Sequence, residues 1–346
     1  MIGNWLLLLV AAAVLSFALT AAVRHYAITR KLMDIPNARS SHTLPTPRGG
    51  GVAIVFTFLL AAGLGWHQGL LASDLFGGLL SAGGLVALVG FLDDHGHIAA
   101  RWRLLAHFTA AAIALFWLDG MPALDLGIVQ INAFWLVNAL GMLYLVWLLN
   151  LYNFMDGIDG LAALQAVITC LSACALYGLA GHVQLMVPPA LLAMAVSGFL
   201  VWNFPPARIF MGDAGSGFLG LALGVMAIQA ASTFANFFWV WCILMGVFIV
   251  DATFTLLRRC LSGSKVYEAH RTHAYQYAAR RAGSHLVVTT GVALINIFWL
   301  LPIAAAVLFW GLNGITGVVV SYVPLVLLAI RYNAGKKEAP TVGVLQ

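Results

Sequence analysis

Two adjacent carboxylates, Asp93 and Asp94, follow Gly90, Phe91 and Leu92. Placed together they repel unless a metal ion, a proton or a cationic partner joins them; the alternative is a charged helix end that marks a water boundary. A second group runs through Asn150, Asn153, Asp156, Gly157, Asp159 and Gly160. Asp156 and Asp159 are three residues apart and share a face if the segment is helical. The glycines allow close approach of a ligand to the backbone, and a cap and turn would not need so many polar landmarks. A third group, Asn203 to Ser216, contains Arg208, Phe210, Gly212, Asp213 and Gly215. Small residues at a helix start suit a phosphate, and Asp213 there can hold a metal bridging that phosphate or simply cap the helix. Carboxylates with glycines suit magnesium and phosphate rather than zinc or copper.

Two basic segments accompany these acids. Asp34 to Gly51 carries Arg39, Ser41, His42 and Arg48 among prolines and glycines. Its cations can clamp anions or only orient the chain. The most basic loop holds His270, Arg271, His273 and Gln276, which suits anion binding or acid–base work better than zinc; a solvated loop is the alternative. Asp251 lies inside an apolar run, where an ionisable residue is functional by default, or else paired with a nearby arginine. The other histidines read as interfacial.

The elements that must carry these groups are dictated by composition. Hydrophobic residues make up 62% of the 346 and charged residues 8%, against about 25% charged in a soluble domain. Such a chain needs lipid as solvent, and in lipid only helices and closed barrels satisfy the backbone. Barrel strands alternate in polarity, whereas these apolar runs are continuous. The expected fold is therefore all-α and polytopic, with about 11 transmembrane helices near 4–23, 50–66, 75–92, 104–118, 133–149, 161–179, 185–202, 215–233, 237–257, 285–308 and 313–330. Residues 1–332 read as one membrane domain, and 333–346 as a flexible cytoplasmic tail. The first run is long for a signal peptide and lacks a basic flank, so it reads as a retained helix. The four cysteines show no metal-ligand spacing.

All 17 Lys and Arg fall in the loops after the odd-numbered spans or in the tail. The positive-inside rule then sets the N-terminus in the periplasm and the C-terminus in the cytoplasm. It also explains the net charge of +5 without nucleic acid. The aspartate and histidine groups fall on the same, cytoplasmic, side. One substrate can then be soluble and the other a lipid, which implies magnesium-dependent transfer of a phosphorylated group to a lipid.

The paired Asp93 and Asp94, the run from Asn153 through Asp156, Gly157, Asp159 and Gly160, and the run Phe210, Met211, Gly212, Asp213, Gly215, Ser216, in this order, resemble the polyprenyl-phosphate N-acetylhexosamine-1-phosphate transferases of glycosyltransferase family 4. The likeness covers essentially the whole chain. It implies transfer of an N-acetylhexosamine-1-phosphate from a UDP-N-acetylhexosamine to undecaprenyl phosphate, with release of UMP, at the inner membrane of a bacterium. It implies Mg²⁺, with Mn²⁺ as a substitute, bound by Asp213 and Asp94, and catalytic roles for Asp93, Asp94, Asp156, His270 and His273. Asn153, Gly157, Asp159, Asn203 and Phe210 become substrate contacts, Phe210 by stacking on uracil, and Arg271, Arg39, His42 and Arg48 anion contacts. A homodimer is a further expectation. The peptidoglycan member carries consecutive histidines where this chain has His270, Arg271, Thr272 and His273, which argues against a muramoyl-pentapeptide donor. The first loop looks like that of O-antigen initiators, so lipopolysaccharide synthesis is the expected pathway. The competing class is a transporter or flippase without transferase activity; transporters place charge near the bilayer midplane, and here only Asp251 lies there.

Overall fold

A computed structural model of the protein describes residues 2–36, 41–42, 44–96, 98–127, 129–264 and 270–336. The fold is helical throughout, apart from two antiparallel pairs of two-residue strands. Met33–Asp34 pairs with Thr46–Pro47, and Leu124–Asp125 with Gln130–Ile131. The periodicity of the sequence gave no sign of them, because two-residue strands carry no repeat.

The helices are α1 (Ile2–Thr29), α2 (Gly51–His67), α3 (Ser73–His95), α4 (Ala100–Trp117), α5 (Phe134–Met155), α6 (Leu161–Leu179), α7 (Val183–Asn203), α8 (Asp213–Thr233), α9 (Asn236–Leu244), α10 (Gly246–Leu261), α11 (Ala274–Ala282), α12 (His285–Phe309) and α13 (Gly314–Arg331). Ten of the expected spans fall on one helix each, and 237–257 falls on α9 and α10 together. Among the described residues eight are long and apolar enough to cross a membrane, and nine if α9 and α10 count as one span. Those two helices are bent by 71° across Met245. Helix α2 has 17 residues. Helix α4 starts four residues before the expected 104, because Arg101 and Arg103 sit in its first turn. Helices α3 and α12 pass through a π turn, at Leu79–Gly83 and Asn296–Leu300. The second lies just ahead of Pro302, which has no N–H to continue the ladder.

Helix α8 forms the centre. Nearly all of it is buried, against α2, α3 and α5, and its glycines permit that. A Cβ on Gly51 would strike the Cα of Gly215, and one on Gly90 would lie 2.5 Å from the Ala214 nitrogen. Outer faces are apolar, as at Leu7 and Phe116, 71% and 80% exposed, which suits lipid contact.

Candidate active site

The N-terminus of α8 meets the end of α3. Asp94, near the end of α3, accepts hydrogen bonds from the amides of Asp213 (3.0 Å) and Ala214 (3.4 Å). A helix start has unpaired amides and partial positive charge, so a carboxylate from another helix is an effective cap. Gly212 must be a glycine there: its φ is +79°, and a Cβ would lie 2.6 Å from Asp94 Oδ2. Two arginines balance the acids. Arg48 Nη2 lies 2.8 Å from Asp94 and 2.5 Å from Asp213. Arg103 Nη1 lies 2.5 Å from Asp93 and 3.4 Å from Asp213. Asp93 also accepts from the Ile98 amide at 2.7 Å.

Arg48 comes from the loop between α1 and α2, which is stitched to the segment before α8 by backbone bonds. Phe210 N donates to Pro47 O, Gly50 N to Phe210 O and Gly51 N to Met211 O, at 2.8–2.9 Å. His42 packs edge-on against Phe210 with ring centroids 4.8 Å apart. Between this loop, the turn after α5 and the start of α8 lies a cavity of about 370 Å³. Arg48, Asn153, Asp156, Asp159, Phe210 and Asp213 are among its lining residues. Two separate acidic groups of the sequence thus meet in one polar cavity, and Asp94 of the third pairs with the Arg48 that lines it.

Their situations differ. Asp156 follows the last turn of α5, and its carboxylate has no hydrogen-bonding partner among the described residues. Burial pushes its pKa well above the usual carboxylate range; the negative charges of Asp213 and Asp94 add to that, and Arg48 opposes it. Asp159 is also partly buried, but the hydrogen bonds from His285 and from the Ala207 amide (3.0 Å) outweigh burial and hold it below the usual range. Asn153 accepts from Ser216 Oγ at 3.1 Å. Asn203 lines the cavity, yet its amide is committed on both sides, accepting from Gly160 N (3.1 Å) and donating to Ile209 O (2.9 Å). It therefore shapes the wall. Gly157 is a point of close approach: a Cβ there would collide with the Tyr275 hydroxyl.

The histidine loop is placed differently. His273 is 2% exposed, its Nδ1 is 3.3 Å from Asp251 Oδ1, and it begins α11 in a reciprocal cap with Gln276. His270 stacks on His273 at 4.9 Å and meets the Thr272 hydroxyl at 3.0 Å. Burial and the neighbouring cations lower His270 to about 3. Neither ring lines the aspartate cavity; Gln276, from the same segment, does. Arg271 is partly exposed beside them. Asp251 pairs with no arginine among the described residues. It accepts from the amides of Ala274 and Tyr275, both at 2.9 Å, and from Thr255 Oγ1 at 3.1 Å, so it anchors the loop. Arg39 lies outside the described residues.

Two participants were not singled out in the sequence. Arg103 counted there only as a topological charge. His285 was grouped with interfacial histidines, yet it lines the cavity and its Nδ1 is 3.2 Å from Asp159 Oδ1. No local pattern announces either one, because each partner is brought close by tertiary packing.

A helix start, two arginines and glycines beside a polar cavity form a setting in which an anion can be bound. The model of glycosyl transferase family 4 matches residues 76–231 of the chain. The chain is 29% identical over 291 residues (81% of this chain, 79% of the relative) to the probable undecaprenyl-phosphate N-acetylglucosaminyl 1-phosphate transferase of Bacillus subtilis. It is 29% identical over 356 residues (91% and 87%) to the decaprenyl-phosphate N-acetylglucosaminephosphotransferase of Mycolicibacterium smegmatis. A phospho-N-acetylmuramoyl-pentapeptide-transferase of Oceanobacillus iheyensis is also 29% identical, over 76% of this chain and 82% of its own.

Proposed function

We propose that this protein transfers an N-acetylhexosamine-1-phosphate from a UDP-sugar to undecaprenyl phosphate, releasing UMP. The convergence of Asp156, Asp213 and Arg48 in one cavity, with Asp94 paired to that arginine, carries this reading, and the relatives' named activities support it. An oxygen of the lipid phosphate attacks the sugar-bearing phosphorus. The bond from that phosphorus to the bridging oxygen breaks, UMP leaves with the electron pair, and a lipid-linked diphosphate sugar remains. Arg48 and Arg103 stand where they can neutralise phosphate charge. Asp156, unpartnered and with its pKa raised, is in its ionised form a carboxylate basic enough to take the proton of a lipid phosphate monoanion.

The donor set fits a hard divalent cation. Asp94 and Asp213 already flank a single positive nitrogen of Arg48, and Asp156 offers a further carboxylate. No three candidate protein ligands form a ready shell among the described residues, which agrees with Mg²⁺, a cation bound by one or two carboxylates with substrate phosphates and water completing its coordination. When bound at Asp213 and Asp94, Mg²⁺ or Mn²⁺ would supply charge neutralisation on the transferred phosphoryl group.

The reading extends to eleven spans in the inner membrane, with the N-terminus periplasmic and the cavity cytoplasmic, supported by the placement of every Lys and Arg. It also extends to O-antigen initiation with a UDP-N-acetylated hexosamine, supported by the first loop and by the unpaired spacing of His270 and His273. UMP release by purified protein, with and without undecaprenyl phosphate and Mg²⁺, tests the activity. Release that requires both establishes it, and transport of a substrate without UMP release would favour the transporter reading. A cysteine at Ser41 should resist labelling from outside intact cells; labelling there overturns the orientation.

A further inference from the structure

We infer that His285 is a positioning residue for the nucleotide end of the donor, acting through Asp159 and the loop between α1 and α2. The inference rests on the transferase reading above. His285 is the first residue of α12. Its Nδ1 faces Asp159 Oδ1 at 3.2 Å, and its Nε2 faces the Ser41 carbonyl oxygen at 3.1 Å. A carbonyl can only accept, so Nε2 carries a proton. Nδ1 also faces the Asp159 amide at 3.4 Å, from which it accepts when unprotonated; a proton on Nδ1 instead makes the shorter contact with Asp159 Oδ1 an ion pair. One turn further along α12, Thr289 Oγ1 donates to the Asp159 carbonyl oxygen at 2.9 Å. The start of α12 therefore holds Asp159 by both its side chain and its backbone. The second carboxylate oxygen accepts from Ala207 N at 3.0 Å, which fixes the carboxylate plane between two partners.

This imidazole stands in a wall between two cavities. The aspartate cavity lies on one side, and a more open one of about 610 Å³ on the other; Ser41, His42, Asp159, Phe210 and His285 line both. Ser41 precedes His42, the ring that packs on Phe210. By holding the Ser41 carbonyl, His285 sets the height of His42 over Phe210. Asp159 and Phe210 are the positions that the family resemblance assigns to the base. A single side chain thus fixes the hydrogen-bonding edge and the stacking face of one clamp. It is remote in function from Asp93, Asp94 and Asp213, to which it makes no contact among the described residues. Its loss should therefore weaken donor capture and spare the chemical step.

The test uses the full-length protein in detergent, with UMP release at saturating acceptor and calorimetric binding of UMP alone. His285→Ala should raise the donor KM roughly tenfold to a hundredfold, the loss expected when a hydrogen bond to a charged group is removed, with kcat and acceptor KM little changed. His285→Asn places an amide nitrogen where Nδ1 stands, restores the Asp159 contact but not the one to Ser41, and should recover part of the donor KM. Adding His285→Ala to Asp159→Asn should raise the donor KM by a smaller factor than adding it to wild type, because the two changes share the Asp159 contact and only His285→Ala also frees the Ser41 carbonyl. A purely structural role would lower the melting temperature and the active fraction of both His285 variants without this split. An unchanged donor KM in His285→Ala, no recovery in His285→Asn, or additive effects in the cycle would each overturn the inference. If His285→Ala does not fold, His285→Asn with and without Asp159→Asn decides on the same criteria. Wild-type protein that binds UMP but releases none from any donor rejects the transferase reading alone. The inference then stands if His285→Ala weakens UMP binding, and falls if it does not.

Discussion

Asp94 and Asp251 do the same structural job in opposite surroundings. Each reaches from one helix to cap the first amides of another: Asp94 caps α8, and Asp251 caps α11. Asp251 is closed in by Thr255 and His273 and is 5% exposed, and the rings above it stack on one another. The Asp94 side chain is as buried, at 4% exposed, but its remaining bond goes to Arg48, which itself lines the polar cavity. A carboxylate whose bonding capacity is filled by its own fold is an anchor. One whose remaining charge faces a movable arginine can exchange that partner for a ligand. The difference lies in what stands opposite the cap, which the identity of the residue does not reveal.

The sharpest break of this comparison is at the first region. Asp213→Asn should lower UMP release by about a thousandfold, in line with removal of one charge-stabilising group, while size-exclusion behaviour and melting temperature stay close to wild type. In the second region the pattern should invert. Asp251→Ala should cost roughly 3 kcal/mol of stability through lost buried hydrogen bonds to a charged acceptor, seen as a lower melting temperature, with kcat per folded molecule largely kept. Equal losses of stability in both variants would erase the distinction between anchor and working acid.

Gly157 joins the two regions, since it touches Tyr275 of α11 from the turn that bears Asp156 and Asp159. Gly157→Ala should destabilise by about 1–3 kcal/mol through overpacking and reduce activity as well, both measurable in one preparation. The smallest expected effect concerns acid. His270 is lowered to about 3 in the fold against an ordinary value of about 6.5. The unfolded chain therefore binds a proton that the folded one refuses. Its contribution to stability is complete above about pH 6.5 and is lost as the pH falls from there towards 3. A melting series from pH 7 to 4.5 should decline less in His270→Gln than in wild type. Identical slopes would remove His270 from the anchor.

Much of this was legible from residue types. Continuous apolar runs announced helices, and the aspartate groups announced a site, because buried or crowded acids are costly enough to need a reason. The sequence could not separate Asp94 from Asp251, nor His285 from a histidine at a membrane surface. Those distinctions depend on which helix start lies across from the side chain. Arg103 reaches Asp93 over ten positions of chain and a turn, and His285 reaches Asp159 over 126. The 71° break between α9 and α10 was read as one span because its composition is apolar on both sides of Met245. The histidine loop looked chemical because its residue types are chemical; packing turned His273 inward.

The contact between Gly51 and Gly215 carries a consequence at the level of the gene. Only the hydrogens of two α-carbons separate the first loop's helix from the start of α8. Every glycine codon leads, by any single base change that alters the amino acid, to a residue with a β-carbon. No missense step at either position is therefore small, and a saturation library under selection should be emptied at both codons while the neighbouring apolar positions still drift.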